Sequence, residues 1–151
     1  MPDEDYPHTR LLPLRPIPVT TLADPAFESL YNMKFAFFNP IQTQVFHTLF
    51  QTDSNVLIGA PTGSGKTIMS ELAMLRVFKH YSKKKVIYIA PLKALAKERI
   101  EDWKKRMGID SEMKKSVLEL TGDNTPDLIA LKNADILITT PEKWDGISRN
   151  W

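Results

Sequence analysis

The sequence predicts an α/β fold, a parallel β-sheet with helices on both faces. Three observations predict it. Four apolar runs, Val56-Leu57-Ile58-Gly59, Val86-Ile87-Tyr88-Ile89-Ala90, Val117-Leu118-Glu119-Leu120 and Ile136-Leu137-Ile138-Thr139, are each followed by a segment of helical pattern. Strand then helix, repeated, requires crossovers that cover both faces of a parallel sheet. The runs lack polar alternation, as strands buried on both faces do. Finally, a glycine-bearing loop from Ala60 to Thr67 occupies the first strand-to-helix junction, where such sheets present their ligand face.

Taken in order, residues 1 to about 22 carry Pro2, Pro7, Pro13, Pro16 and Pro18. Proline lacks a backbone donor and holds its predecessor extended, so this arm is predicted not to be helical. Leu11, Leu12, Leu14, Ile17 and Val19 suggest that it lies along a surface; a flexible end is the other reading. Asp24-Pro25 opens a short helix through Tyr31, with Asp24 as cap and Pro25 in the first turn. Asn39-Pro40 opens a second on the same logic, with Ile41, Val45, Phe46 and Leu49 as its buried face. A helix over about 65–80 buries Met69, Leu72, Ala73, Leu75 and Val77. The strand Val86–Ala90 leads into a charged amphipathic helix from Ala94 to about Met107. The strand at Val117 precedes a short helix, Pro126 to Leu131, capped by Thr125. The strand at Ile136 precedes a last helix, Pro141 to Arg149.

A chain of 151 residues suffices for one domain with a core, here 23–151 behind the arm 1–22. Its hydrophobic share of 42% and charged share of 25% are those of an ordinary globular protein. No apolar run reaches the roughly 20 residues that span a bilayer, and the acidic start Met1-Pro2-Asp3-Glu4-Asp5 is no secretory signal. We therefore expect no membrane partner. The absence of cysteine excludes disulfides and thiolate metal sites. A net charge of +2 permits a nucleic-acid partner without arguing for one.

The strongest signal is Ala60-Pro61-Thr62-Gly63-Ser64-Gly65-Lys66-Thr67. A phosphate-binding loop turns tightly around an anion and aims backbone N–H groups inward. Gly63 and Gly65 permit the dihedrals this demands. Lys66 is placed to reach the β and γ phosphates of a nucleotide, and Thr67 to hold Mg²⁺ by its hydroxyl. Ala60 stands where the usual pattern has glycine, and is small enough to leave the loop intact. Upstream, the amide of Gln42 can pair with a donor and an acceptor on a base, or it is simply a surface glutamine of an amphipathic helix. Pro91, Leu92 and Lys93 start a helix at one strand end. Thr140, as cap, and Pro141 do so at another, and Thr121 and Gly122 end the strand between. Helix N-termini on one rim suit backbone phosphates. Lys83-Lys84-Lys85 reads as a solvated turn, Lys104, Lys105 and Arg106 as a solvated helix face, and Trp103 and Trp144 as packing aromatics. His8, His47 and His80 lack ligand spacing, so the only metal expected is the Mg²⁺ of the nucleotide.

Phe38-Asn39-Pro40-Ile41-Gln42-Thr43-Gln44, the phosphate loop, Ala90-Pro91-Leu92-Lys93-Ala94-Leu95, Thr121-Gly122-Asp123 and Thr139-Thr140-Pro141-Glu142-Lys143-Trp144-Asp145 occur in one order. That series resembles the first RecA-like domain of Ski2-like superfamily 2 helicases, over nearly all of residues 24–151. Asp102-Trp103-Lys104 and Lys143-Trp144-Asp145-Gly146 are most similar to the second cassette of large two-cassette members of the cointegrator-complex type, and next to their spliceosomal relatives. The resemblance implies a RecA-like ATP-binding domain, with ATP and Mg²⁺ as cofactors and Gln42 favouring adenine. It implies a single-stranded or partly duplex nucleic acid gripped through its backbone by the rim residues, and 3′ to 5′ unwinding in DNA repair or ribonucleoprotein remodelling. The implied partners are the remainder of the cassette and other subunits of a cointegrator-type complex, and the implied location is the nucleus, with the cytosol as a second. The family's Asp-Glu-x-His segment, which holds Mg²⁺ and orients water, is not found: no Asp-Glu pair follows Gly65. We expect the domain to be cut before that strand and these 151 residues alone to hydrolyse ATP poorly. The alternatives are an ATPase-inactive cassette serving as a protein-interaction scaffold, and a kinase or transporter-type ATPase.

Overall fold

A computed structural model of the chain describes residues 15–61, 63–122 and 126–149. The arm before residue 15, Thr62 of the phosphate loop, Asp123 and the expected cap Thr125 lie outside the described residues. The ordered elements are α1 (Pro25–Ser29), α2 (Pro40–Gln51), α3 (Lys66–His80), β1 (Val86–Ile89), α4 (Lys93–Met107), β2 (Val117–Leu120), α5 (Leu128–Asn133), β3 (Ile136–Thr139) and α6 (Pro141–Ser148). The strands form one parallel sheet in the order β1-β3-β2, with Ile136 facing Val86 on one side and Val117 on the other.

Alternation along β3 builds two layers. Ile136 and Ile138 join the larger apolar cluster, with Leu72, Leu75 and Phe78 of α3 and Ala96, Ile100 and Trp103 of α4. Leu137 points the other way, to Leu131 of α5 and the flank of Ile147 in α6. Helices thus cover both faces, as expected. All four residues of β3 are buried, because a middle strand has protein on every side.

Local chemistry explains the helix starts. Asp24 Oδ1 accepts from the backbone N–H of Ala26 and Phe27 at 2.9 and 3.3 Å. Asn39 and Gln42 form a reciprocal capping box, at 2.8 and 3.0 Å. Such caps contribute about 1 kcal/mol each. Behind them runs an aromatic file in which Phe38, Phe46 and Phe50 follow at centroid distances of 5.5 and 5.3 Å. The buried face of α2 is Gln42, Thr43, Phe46 and Phe50, with Ile41, Val45 and Leu49 at its margins.

Several expectations fail. Val56-Leu57-Ile58-Gly59 is not a strand: Leu57 is 99% exposed, and the segment joins no ladder. A strand needs a neighbour to take its N–H and C=O groups, and none of the described strands reaches this one. The cap of α5 is Asp127, whose carboxylate accepts from Ala130 N–H at 2.7 Å, and the helix begins at Leu128 rather than Pro126. Thr140 occupies the cap position of α6 but gives no side-chain cap bond. Within the expected non-helical arm, Val19–Leu22 form a 3-10 turn that buries Val19 and Leu22. Arg106 is no solvated residue; its side chain is 17% exposed and bonded to the buried Glu71.

Candidate functional site

The phosphate loop lies at the N-terminus of α3, which begins at Lys66. Gly63 and Gly65 both have φ of 83°, a left-handed conformation that side-chain-bearing residues rarely adopt. The turn is closed by Ser64, whose N–H and hydroxyl both donate to the Pro61 carbonyl, at 3.2 and 2.6 Å. Lys66 is exposed, Thr67 half-buried and Ala60 half-buried. The loop therefore presents a cation, a hydroxyl and the first amides of a fifteen-residue helix, a donor set that fits a triphosphate with its magnesium ion.

The loop is buttressed by α2. Asn39 Nδ2 donates to the Ser64 carbonyl at 3.0 Å and Gln42 Nε2 to that of Gly65 at 3.3 Å. Gln42 is 3% exposed, not a surface residue; one amide atom caps α2 and the other holds the loop. A primary amide has two donors and two lone pairs, so these bonds can coexist with base contacts. A side chain at position 65 would collide with this amide, a second reason for glycine there.

Beside the loop is an apolar cavity of about 480 Å³ lined by Val56, Ile58, Lys66, Met69, Val86 and Tyr88 among others. It separates the Val56–Ile58 segment from β1, whose Ile87 and Ile89 remain 38% and 44% exposed.

A second concavity, about 530 Å³, lies at the carboxyl ends of the strands. The structure brings Pro91, Leu92, Lys93, Gly122 and Thr140 together there, with Glu142 and Lys143. Thr121 is fully buried and donates its hydroxyl to Glu119 Oε1 at 2.9 Å, and Pro141 is exposed at the start of α6. Glu142 was not anticipated, and its charge opposes a phosphate. Among the described residues there is no cluster of potential metal ligands, and no helix is long and apolar enough to cross a membrane.

Sequence reasoning missed the most connected polar group, Glu71. It lies fully buried on α3 and receives hydrogen bonds from Tyr31, Trp103 and Arg106. The signal was available: Glu71, Met74, Leu75 and Phe78 follow the three- and four-residue spacing of a buried stripe.

Comparison with known proteins places these features in context. The family model described as DEAD/DEAH box helicase matches residues 39–151. Activating signal cointegrator 1 complex subunit 3 of Danio rerio is 60% identical over all 151 residues, and that of Homo sapiens 58%. The DExH-box ATP-dependent RNA helicase DExH14 of Arabidopsis thaliana is 60% identical over the same length. The chain covers 10%, 7% and 7% of these three relatives. In architecture it is similar to the DUF1998 helicase MrfA bound to DNA, with a TM-score of 0.71 at 23% identity over 86% of this chain and 18% of that one. A hypothetical ATP-dependent RNA helicase from Sulfolobus tokodaii gives 0.61 at 21% identity over 83% and 36%.

Proposed function

Because this chain belongs to the DEAD/DEAH box helicase family, we propose that it is the ATP-binding part of an ATP-dependent nucleic-acid helicase of the Ski2-like, cointegrator-complex type. The observation that carries this reading is Lys66-Thr67 opening α3 directly behind two glycines in left-handed conformation. Ala60, Pro61, Gly63, Ser64 and Gly65 form the cradle, and Thr62 belongs to it by its place in the sequence motif alone. Lys66 neutralises the β and γ phosphates, Thr67 offers a hydroxyl to Mg²⁺, and Gln42 reads adenine while bracing the loop. The magnesium ion supplies charge neutralisation when bound with ATP.

The rim of Pro91, Leu92, Lys93, Gly122, Thr140 and Pro141 takes the sugar–phosphate backbone of a single strand, with little sequence preference, while Thr121, fully buried and bonded to Glu119, supports the rim from beneath rather than touching the strand. Lys93 contributes the charge, and Thr140, with no capping duty, keeps its hydroxyl for this role. The parent protein would unwind 3′ to 5′ in DNA repair or ribonucleoprotein remodelling, in the nucleus and in association with other subunits. These 151 residues hold no Asp-Glu-x-His segment, so alone they hydrolyse little.

Titration of a fluorescent ATP analogue, followed by a salt-dependent titration of a labelled oligonucleotide, tests both sites. Lys66→Ala should lower nucleotide affinity at least tenfold, and Lys93→Ala should weaken oligonucleotide binding and flatten its salt dependence by about one charge. Unchanged nucleotide affinity in Lys66→Ala sinks the reading. Robust oligonucleotide-stimulated phosphate release from the 151 residues alone refutes their expected inactivity.

A further inference from the structure

Glu71 is the only fully buried carboxylate among the described residues, and four donors converge on it. Tyr31 Oη donates to Oε1 at 2.8 Å and Trp103 Nε1 to Oε2 at 2.8 Å. The Arg106 guanidinium spans both oxygens, at 2.6 and 3.0 Å, the two-pronged geometry that fixes orientation as well as distance. Asp102 Oδ2 holds Arg106 from its own helix at 3.0 Å, and Tyr88 of β1 packs edge-on against Trp103 at 4.9 Å. Burial works against the charge of Arg106, but the bonds and charge of Glu71, then of Asp102, outweigh it and hold the guanidinium above its ordinary range.

The position of this cluster is what gives it meaning. Glu71 lies five residues after Lys66 on α3, about 7.5 Å along the axis. Trp103 and Arg106 lie on α4, the helix that starts at Lys93. The cluster therefore joins the helix that begins at the phosphate loop to the helix that begins at the nucleic-acid rim. Apolar side chains also meet there, since Leu72, Leu75 and Phe78 of α3 share one cluster with Ala96, Ile100 and Trp103 of α4, but α3 packs mainly on α2 and α4 mainly on β2 and β3. Apolar packing is non-directional and tolerates sliding. A saturated buried carboxylate does not, because any slip strands charges away from water.

We propose that Glu71 and Arg106 are positioning residues that lock α3 to α4, so that occupancy of the phosphate loop and binding at the Pro91–Lys93 rim are energetically coupled. This inference rests on the two sites proposed above. A buried ion pair is weak evidence for stability and better attested as a device for register, which is the role assigned here.

The test is the coupling factor between a non-hydrolysable ATP analogue and a single-stranded oligonucleotide, measured in both directions on the full-length protein, since linkage requires the two to agree. Arg106→Met, and Arg106→Lys, which keeps the charge but loses the fork, should lower that factor about fivefold or more. Affinity for the analogue alone should stay within about twofold of wild type. Tyr31→Phe removes a donor from the same carboxylate but leaves the two-pronged Arg106–Glu71 bond and the ring beneath the guanidinium in place, and should leave the factor unchanged, whatever it does to the melting temperature. Equal losses in Tyr31→Phe and Arg106→Lys, in step with melting temperature, would make the cluster a mere stabiliser and overturn the proposal. An unchanged factor in both Arg106 variants, or no coupling in a wild type that binds both ligands, overturns it too. If the wild type binds neither ligand, the proposed function itself fails, and this inference with it.

Discussion

Val56-Leu57-Ile58 and Ile136-Leu137-Ile138 are nearly the same peptide, yet the first is largely exposed coil and the second the most buried strand among the described residues. Both precede a turn into a helix, α3 in one case and α6 in the other. Ile136–Ile138 has β1 on one side, β2 on the other and a helical layer above and below. Val56–Ile58 faces a cavity where β3 faces a neighbour. Apolar β-branched sequence is thus a licence for a strand, and pairing decides whether it is used.

The contrast makes sharp predictions. The largest concerns packing: Ile136→Ala should cost about 2–5 kcal/mol of unfolding free energy, whereas Leu57→Ala should change it by less than about 0.5 kcal/mol. Urea titration of both variants decides this, and equal losses would mean that the two segments are equivalent in solution. Next comes hydrogen exchange. Amides of Ile136–Thr139 should be protected near the global limit, and those of residues 56–60 hardly at all. In a longer chain carrying the family's Asp-Glu-x-His segment, protection should spread to residues 56–58 and to the outer edge of β1. If it does not, Val56–Ile58 stays unpaired in the longer chain as well.

A smaller effect tests the core at the other end of the clamp. Burial, then the charge and hydrogen bond of Glu71, push the Tyr31 hydroxyl well above its ordinary value of 10.0. A raised folded-state value means a contribution fully present below pH 10.0 and lost as pH climbs toward that folded value. The alkaline loss of stability should flatten in Tyr31→Phe; a curve identical to wild type would exclude this hydroxyl as its source. The smallest effect is expected at the root of the exposed segment. Asp53 accepts from Arg76 Nε at 2.7 Å and from the Tyr81 hydroxyl at 2.5 Å, and these bonds lower its carboxyl from 3.8. The stabilisation is present above pH 3.8 and fades as pH falls through the lowered value. Asp53→Asn should lower the melting temperature slightly at pH 7 and progressively less as pH falls below 3.8; a shift that does not change with pH would show that charge is irrelevant there.

What the sequence disclosed follows from the range of each interaction. Asp24-Pro25 and Asn39-Pro40 announce their helices because a cap acts within three residues, and the structure has both. The glycines of the phosphate loop were legible for the same reason, since each needs its φ whatever surrounds it. Gln42 was identified by its neighbours in sequence, but its bond to Gly65 spans 23 positions and no local pattern shows that. The fate of Val56–Ile58 depended on strands remote in the chain, so periodicity misplaced it. Lys104 and Lys105 are exposed as expected, but Arg106 does not share their solvated face, because its partner lies 35 residues away. Glu71 stood within a helical stripe that could have been noticed, but a carboxylate on such a stripe becomes credible only once its donors are known. Thr140 shows the limit of cap rules: the right residue type stands in the right place, and its side chain makes no cap bond.

Lys85 follows two lysines of the same turn, yet its ammonium group is committed to the carbonyls of Lys132 and, at 2.7 Å, of Ala134, while Lys83 and Lys84 project into solvent. An amine-reactive reagent should therefore mark the first two and largely spare the third. Acetylation of Lys85 would erase the positive charge that now closes the carboxyl end of α5, so one modification reads as surface decoration at two neighbours and as a lesion in the fold at the third.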